Sequence, residues 1–242
     1  MAGRALAVLG CFDTAHPRLT LSEISRRTAL PLTTAHRQVA ELTRWGALER
    51  DTEGEYRIGL RLWEVGSLAP RRTDLREAAL PFLTDLYEIT HENVQLAVLD
   101  GPDVVFLERI SGRQAVHVLT RPGMRLPAHA TAVGLVLLAH ADDEAVEAVL
   151  AMSLRRFTRH TVTEPRMLRA RLVEVRRSGF AVCERQIEEV SSSVAAPVLD
   201  ASRVVVAALS LVVPADGGHA YRYLPAVQAS ARALSRQLGL VR

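Results

Sequence analysis

The chain has 242 residues, of which 48% are hydrophobic, enough apolar material for two domain cores. It contains no window of eighteen or more uncharged apolar residues and no cleavage site after its N-terminal stretch MAGRALAVLG, so we expect a cytoplasmic protein without membrane contact. The net charge is only +3, but eleven arginines stand against eight acidic residues up to Arg72, so the whole excess lies in the first third.

Three helices are predicted at the start of the chain. Apolar residues at helical spacing indicate the first over Gly3–Phe12. The second opens at Thr20, which forms a capping box with the glutamate three residues later, and it ends near Thr28. Pro31 then enforces a turn, and the third helix is predicted over Leu32–Trp45.

The third helix combines an apolar stripe with a polar face. Ala35, Val39 and Leu42 recur at i, i+4 and i+7 and predict the buried stripe. The opposite face carries hydroxyls near its start and guanidinium groups further on, which can contact phosphates and read base edges in a major groove. After Gly46, a strand, a glycine-bearing turn and a second strand predict a wing. The predicted DNA-contact residues are Thr33, Thr34, Arg37, Gln38, Arg44, Arg50 and Arg57.

The same residues allow a second interpretation of this region. An ordinary amphipathic helical hairpin with a solvated face would also give a helix, a turn and a helix. The appended ribbon and the proline turn favour double-stranded DNA as the partner. Because one short recognition helix reads few base pairs, we expect a homo-oligomer bound to an inverted repeat.

The remaining elements predict a separate second domain. We place the winged helix-turn-helix domain at residues 1–59, a linker helix at 60–72, where Pro70 interrupts the pattern, and the second domain at 73–242. Hairpins rather than regular strand–helix–strand alternation indicate an α+β fold with a largely antiparallel sheet. The predicted strands are Asn93–Leu99, Val104–Arg109, Ala115–Leu119, Phe180–Cys183, Val194–Leu199 and Arg203–Val213, with helices that include Thr73–Thr90 and one starting at Pro225.

A loop delivers Thr131 to the start of an apolar helix. The first backbone N–H groups of that helix, at Ala132, Val133 and Gly134, have no intrahelical partner, so an anionic or carbonyl group could sit on them. The alternative, which the sequence favours, is a cap formed by the Thr131 side chain.

The cysteines and histidines leave one enzymatic alternative. Cys11 and Cys183 are far apart and the histidines lack paired ligand spacing, so we expect a reduced compartment, no zinc and no other cofactor. Cys183 with His129 or His160 as base could perform acyl chemistry. A buried structural cysteine is favoured, so we do not expect an enzyme. A further alternative is a redox or ligand sensor whose first domain serves only for dimerisation.

Motifs in both halves carry a resemblance to a known family. The first half contains LSEISRRTALPLTTAHRQVAEL and YRIGLRLWEVG, and the second contains PAHATAVGLVLLA, RRSGFAV, SVAAPV and VVVAALSLVVP. Over essentially its full length the chain resembles the IclR (isocitrate lyase regulator) family of bacterial transcription regulators. The resemblance implies a winged helix-turn-helix, a linker helix and a GAF-like α/β effector domain. It also implies a homodimer or a dimer of dimers that acts as a regulator such as a repressor and responds to a small organic effector.

The resemblance also implies an effector site. This chain departs from the family in having Cys183 where Asp is frequent, Arg185 and Gln186 where two acids commonly follow, and Val212 in place of a second serine; Leu32 replaces a basic residue in the recognition turn. An apolar cavity with two serines and a few backbone N–H groups favours an aromatic or weakly polar acid over a small keto acid. Carried over by position, the effector-binding residues are Val118, Leu126, Ala132, Val133, Cys183, Ser193 and Ser210.

Overall fold

The computed structural model of the chain describes residues 2–13, 15–68, 70–113, 115–216 and 219–240. It divides into two compact units, Met1–Thr73 and Asp74–Arg242, and each contains its own hydrophobic core. Within the described ranges, no helix is both long and apolar enough to span a bilayer.

The first unit is a winged helix-turn-helix. Its three short strands form an antiparallel sheet in the order β1-β3-β2, and Val8, Ile24, Val39, Leu48 and Tyr56 form its buried core. In chain order its elements are α1 (Ala2–Gly10), β1 (Arg18–Leu19), α2 (Leu21–Thr28), α3 (Leu32–Trp45), β2 (Leu48–Arg50), β3 (Tyr56–Ile58) and α4 (Leu60–Ser67).

Local signals fix the ends of α2 and α3. The Thr20 hydroxyl accepts from the Glu23 N–H at 3.3 Å and the Glu23 carboxylate accepts from the Thr20 N–H at 2.8 Å, so the predicted capping box is confirmed. Helix α3 spans the predicted residues and ends at Gly46, whose φ of 89° favours glycine. The sequence did not predict β1, because two residues are too few to show alternation.

The second unit is built on one antiparallel sheet of six strands in the order β6-β5-β4-β9-β8-β7, which confirms the predicted α+β class. Residues 70–72, predicted to interrupt the chain between two helices, instead open a helix that runs to Thr90. In chain order the elements are α5 (Pro70–Thr90), β4 (Asn93–Asp100), β5 (Asp103–Ile110), β6 (Arg125–Pro127), α6 (Ala132–Ala139), α7 (Asp143–Leu150), α8 (Pro165–Ser178), β7 (Ala181–Glu184), β8 (Ser191–Leu199), β9 (Val205–Pro214) and α9 (Leu224–Leu240).

The sheet has an apolar layer on each face because its strand residues alternate in direction. One face, with Leu96 and Leu209 among its residues, packs on α5 and α9. The other face, with Ala97, Phe106 and Ala208, packs on α6, α7 and α8. All eight residues of α6 are buried, so this helix lies at the centre of its layer.

The predicted strand Ala115–Leu119 is wrong. The described residues of this stretch are irregular, and β5 pairs with β4 on one side and with β6 on the other. Side chains satisfy the carbonyls here in place of a neighbouring strand. Asn93 donates to the Val116 carbonyl at 2.8 Å, and Arg109 donates to the carbonyls of Val118 at 3.4 Å and Thr120 at 2.7 Å. These bonds hold the stretch beside the end of the sheet.

Candidate functional site

The polar face of α3 is exposed in the first unit. Thr33, Arg37 and Arg44 are exposed and Thr34 is half-buried. Arg44 is engaged by Glu41 on the same helix at 3.0 Å. Arg37 makes no hydrogen bond or ion pair with any residue that the structure describes, so its five N–H donors are available to a partner.

One predicted contact residue does not lie on this face. Gln38 was expected to flank it, but Gln38 is only 5% exposed, so this placement is wrong. The physical reason is the helical repeat, which puts Gln38 three residues after Ala35 and therefore on the same buried side. The buried stripe of α3 is thus wider than the three apolar residues alone indicate.

The wing presents two further arginines. Arg57 on β3 is exposed and binds the Glu49 carboxylate at 2.9 Å. Arg50 on β2 is exposed, donates to the Gly54 carbonyl at 3.3 Å and lies over the ring of Tyr56. Both guanidinium groups are therefore positioned by contacts within the wing itself.

A cavity lies in the second unit, between the start of α6 and one end of the sheet. It contains about 470 Å³ of space between atoms, part of it open to solvent. All seven residues predicted from the resemblance line it. Val118, from the irregular stretch before β6, and Leu126, on β6, form part of its apolar wall together with Phe106.

The start of α6 forms a polar edge of the cavity. The Thr131 hydroxyl accepts from the Gly134 N–H at 3.0 Å, which confirms the side-chain cap. The N–H groups of Ala132 and Val133, the first two of the helix, have no acceptor among the described residues. A Cβ atom on Gly134 would overlap the backbone of Ala128, so glycine is needed for this close approach.

Three strands supply the floor of the cavity. Cys183, Ser193 and Val212 are neighbours in register across β7, β8 and β9, and Ser210 pairs with Gln95 of β4 in the next row. The hydroxyls of Ser193 and Ser210 form no hydrogen bond within the described parts of the chain. Burial raises the pKa of the Cys183 thiol to about 12, so this group is a neutral, weakly polar surface.

The segment between β7 and β8 covers the cavity with side chains that the sequence did not assign to it. Gln186, Ile187 and Glu188 line the cavity. Burial raises the pKa of the Glu188 carboxyl, although hydrogen bonds from the Leu119 N–H and the Ser191 hydroxyl oppose this effect. This polar segment contains two apolar residues, and of these Ile187 lines the cavity whereas Val190 is exposed, so its apolar content was only a weak signal that the segment turns inward.

Arg185 points away from the cavity. Its guanidinium binds the Asp216 carboxylate at 3.0 Å, and Arg185 does not line the cavity. The cavity lining contains no cationic side chain, so the site holds no bidentate carboxylate clamp.

The residues of the enzymatic alternative are not assembled. The Nε2 atom of His129 lies 3.0 Å from the Arg155 carbonyl, and the ring borders a different cavity from that of Cys183. His160 lies 3.5 Å from Glu189 and borders a third cavity. Across the described residues there is no group of three or more histidine, cysteine, aspartate or glutamate residues suited to a metal ion.

A winged helix-turn-helix with an exposed arginine-bearing helix, joined in one chain to a second unit with a cavity at a helix start, is the organisation of an effector-responsive DNA-binding regulator. Two family models match the chain. Residues 2–52 match the IclR helix-turn-helix domain, and residues 68–236 match the bacterial transcriptional regulator IclR C-terminal domain. The chain belongs to the IclR family of bacterial transcription regulators.

Individual relatives match along nearly the whole chain. The regulator XynR of Escherichia coli is 33% identical over 98% of this chain and 96% of its own length. The Pca regulon regulatory protein of Pseudomonas putida is 31% identical over 97% of this chain and 82% of its own. The structure of an IclR homologue from Microbacterium hydrocarbonoxydans, complexed with 4-hydroxybenzoate, is 39% identical with a TM-score of 0.93 and covers 98% of both chains.

Proposed function

We propose that this regulator acts in the cytoplasm as a homo-oligomer, binds its operator through α3 and the wing, and responds to an aromatic or weakly polar organic acid. It has no enzymatic activity in this proposal. The observation that carries it is the cavity beside the start of α6, where the positions taken from the family meet two N–H groups that have no acceptor among the described residues. The operator contacts are made by Thr33, Thr34, Arg37, Arg44, Arg50 and Arg57.

The cavity chemistry supports an aromatic acid. A carboxylate can accept from the N–H groups of Ala132 and Val133 at the positive end of the α6 dipole. The hydroxyls of Ser193 and Ser210 can donate to it, and Val118 and Leu126 offer an apolar wall to a ring. The relative from Microbacterium hydrocarbonoxydans, which was crystallised with 4-hydroxybenzoate, supports the same class of ligand.

Exposed apolar side chains on α4 support the oligomer. Leu60, Trp63 and Leu68 at the end of the helix are largely solvent-exposed in the isolated chain. Large apolar side chains clustered along one short helix are typical of a surface that another protein covers. A second copy of this chain fits because two-fold pairing brings two recognition helices to an inverted repeat.

Operator binding and its response to the effector can be measured together. Fluorescence anisotropy with DNA from upstream of the gene should show binding that changes when 4-hydroxybenzoate is added, and light scattering should show a dimer or tetramer. A monomer bound one per operator, or no DNA binding to this region and those of neighbouring genes, would contradict the proposal.

Calorimetry tests the cavity itself. Ser210→Ala and Val133→Trp should weaken the binding of benzoate-type acids, because one removes a donor and the other fills the space beside α6. Ser202→Ala, at an exposed turn outside the cavity, is the matched control and should bind like the wild type. Tighter binding of small keto acids than of aromatic acids, or unchanged affinity in both cavity variants, would show that the cavity assignment is wrong.

A further inference from the structure

Gln95 is a buried polar residue on the floor of the cavity beside the start of α6. Its neighbour on β4, Leu96, belongs to the layer against α5 and α9, whereas Ala97 belongs to the layer against α6. Because side chains alternate along a strand, Gln95 shares the face of Ala97 and points toward the α6 layer. It is 3% exposed and lines this cavity, and it borders neither of the cavities beside His129 and His160.

One end of the Gln95 amide is held in place. Its Nε2 atom donates to the hydroxyl of Thr120, which is 8% exposed. The Thr120 carbonyl in turn accepts from the Arg109 guanidinium at 2.7 Å. Arg109 is paired with Gln95 across β4 and β5, and it also donates to the Asn93 side chain at 2.8 Å. The amide is therefore positioned by groups that have fixed positions themselves, as a group that recognises a ligand requires.

The other end of the amide is open. No described residue donates a hydrogen bond to the Oε1 atom of Gln95. The unpaired side-chain oxygen of Gln186 is completely enclosed by neighbouring atoms, whereas that of Gln95 is not. Ser210, an effector-binding position of the proposal above, is paired with Gln95 across β4 and β9 and therefore lies beside it on the same face. A molecule that contacts Ser210 can reach the Gln95 oxygen.

The free oxygen and its surroundings favour a neutral donor on the ligand. An amide oxygen accepts hydrogen bonds and cannot donate them. A ligand that covers it without a donor removes its contact with water and returns nothing, which weakens binding. The one carboxyl that lines the cavity, Glu188, accepts from the Leu119 N–H next to Thr120, so it disfavours a second carboxylate on this side. A hydroxyl or an amino group fits both conditions.

We infer that Gln95 is a specificity-determining residue, whose side-chain oxygen accepts a hydrogen bond from a hydroxyl or amino substituent on the effector ring. It thereby selects aromatic acids that carry such a donor over the unsubstituted acid. This inference rests on the proposed function, because it requires an aromatic acid in the cavity. The carboxylate stays on the N–H groups of Ala132 and Val133, where the helix dipole favours it, and the ring extends from there to the sheet floor.

The reverse orientation of the amide predicts a different order of ligands. A half-turn of the Gln95 side chain would let its oxygen accept from the Thr120 hydroxyl and would turn its NH₂ group to the cavity. That group would favour acceptors, so a hydroxyl on the ring would still gain a hydrogen bond but an aromatic amine would not. An aminobenzoate therefore distinguishes the two orientations.

The test is calorimetry on the full-length protein with benzoate and its hydroxy, amino and fluoro derivatives, each substituted at ring carbon 3 or 4. Fluorine takes the place of the substituent without offering a donor. The wild type should bind the better hydroxybenzoate and the better aminobenzoate about 5- to 150-fold more tightly than benzoate, and the fluorobenzoates within about 3-fold of benzoate. This series needs no variant, so it is decisive even if a substitution impairs folding.

Gln95→Met keeps the size of the side chain but removes the amide. The preference for a donor substituent should fall to about 3-fold or less, while the affinity for benzoate stays close to that of the wild type. Thr120→Val is the matched variant, because it removes the other partner of the same hydrogen bond and leaves the Gln95 oxygen in place. It should keep more of the preference than Gln95→Met does. Circular dichroism on each variant checks that the fold is kept.

Three results would overturn the inference. A wild type that binds all of these acids equally, or aminobenzoate no better than fluorobenzoate, shows that no donor is recognised. A Gln95→Met variant that keeps the preference, or that weakens every ligand by the same factor, shows that the amide does not read the substituent. A preference lost in Thr120→Val but kept in Gln95→Met assigns the recognition to Thr120 instead. In each case weaker binding to Ser210→Ala still supports the cavity, whereas no binding of any aromatic acid to the wild type removes the proposed function together with the inference.

Discussion

Replacing Arg37 by alanine should weaken operator binding more than replacing Arg44, although both arginines are exposed on α3. The guanidinium of Arg37 has no protein partner in the described chain, so all five of its N–H donors can bind DNA. Loss of one specific arginine contact costs about 1–3 kcal/mol, or about 5- to 150-fold in Kd. Operator affinity should therefore fall more in Arg37→Ala than in Arg44→Ala.

Arg44 must first leave Glu41 before it can contact DNA. The two side chains are 70% and 58% exposed and 3.0 Å apart, and an exposed pair of this kind contributes about 0.2–1 kcal/mol. The effect of Arg44→Ala should therefore be smaller than that of Arg37→Ala by about 1.4- to 5-fold in Kd. The two variants remove the same charge from the same helix, so each is the matched control of the other.

Fluorescence anisotropy with upstream DNA, repeated at several salt concentrations and with unrelated competitor DNA, measures both effects. If Arg37 reads a base, Arg37→Ala reduces the preference for the operator; if it contacts a phosphate, the salt dependence falls by about one unit of slope instead. Circular dichroism should show an unchanged fold. Wild-type affinity in Arg37→Ala, or a larger loss in Arg44→Ala, would refute the assignment.

Three further predictions concern the second unit. Because burial raises the pKa of Cys183 to about 12, its thiol should not react with a thiol reagent at pH 8 until the protein unfolds; mass spectrometry that finds it labelled in the native protein would contradict this. Burial raises the pKa of Glu188, so its favourable contribution to stability is present below its ordinary pKa and is lost as the pH rises through the raised value. Glu188→Gln should therefore raise the Tm at pH 7 and have little effect at pH 4, and an equal change at both pH values would disprove that reasoning. Gly134→Ala should lower stability by about 1–3 kcal/mol, or about 2–12 °C in Tm, and weaken effector binding, because the new Cβ overlaps the Ala128 backbone. Gly239→Ala, on an exposed position of α9 where the new Cβ meets no atom within 4 Å, is the control, and equal Tm values in the two variants would show that the contact at Gly134 is not restrictive.

Local sequence signals were sufficient for the helices of the first unit. The capping box at Thr20 and the turn at Pro31 predicted α2 and the bounds of α3, because each signal acts within a few residues. The β4–β5 hairpin was likewise predicted from alternation and a turn that includes Gly101, which has a φ of 61°.

Burial and pairing could not be decided locally. Gln38 is polar but lies on the buried side of α3, because its position relative to Ala35 outweighs its own polarity. The stretch Ala115–Leu119 resembles a strand in sequence, but Arg109 and Asn93 supply its hydrogen bonds and no strand pairs with it. A strand exists only when a partner lies alongside, and the sequence of one segment does not specify that partner.

The sequence by itself determined the family, the order of the two units and, through the resemblance, a set of cavity positions. Only the tertiary structure showed that Gln186 and Glu188 lie at the same cavity as Ala132, since no periodicity relates a segment after β7 to the start of α6. It also decided which groups there remain available. Thr131 caps Gly134 and leaves the N–H groups of Ala132 and Val133 without an acceptor among the described residues. Availability depends on every neighbour packed around a group, and those neighbours come together only when the chain is folded.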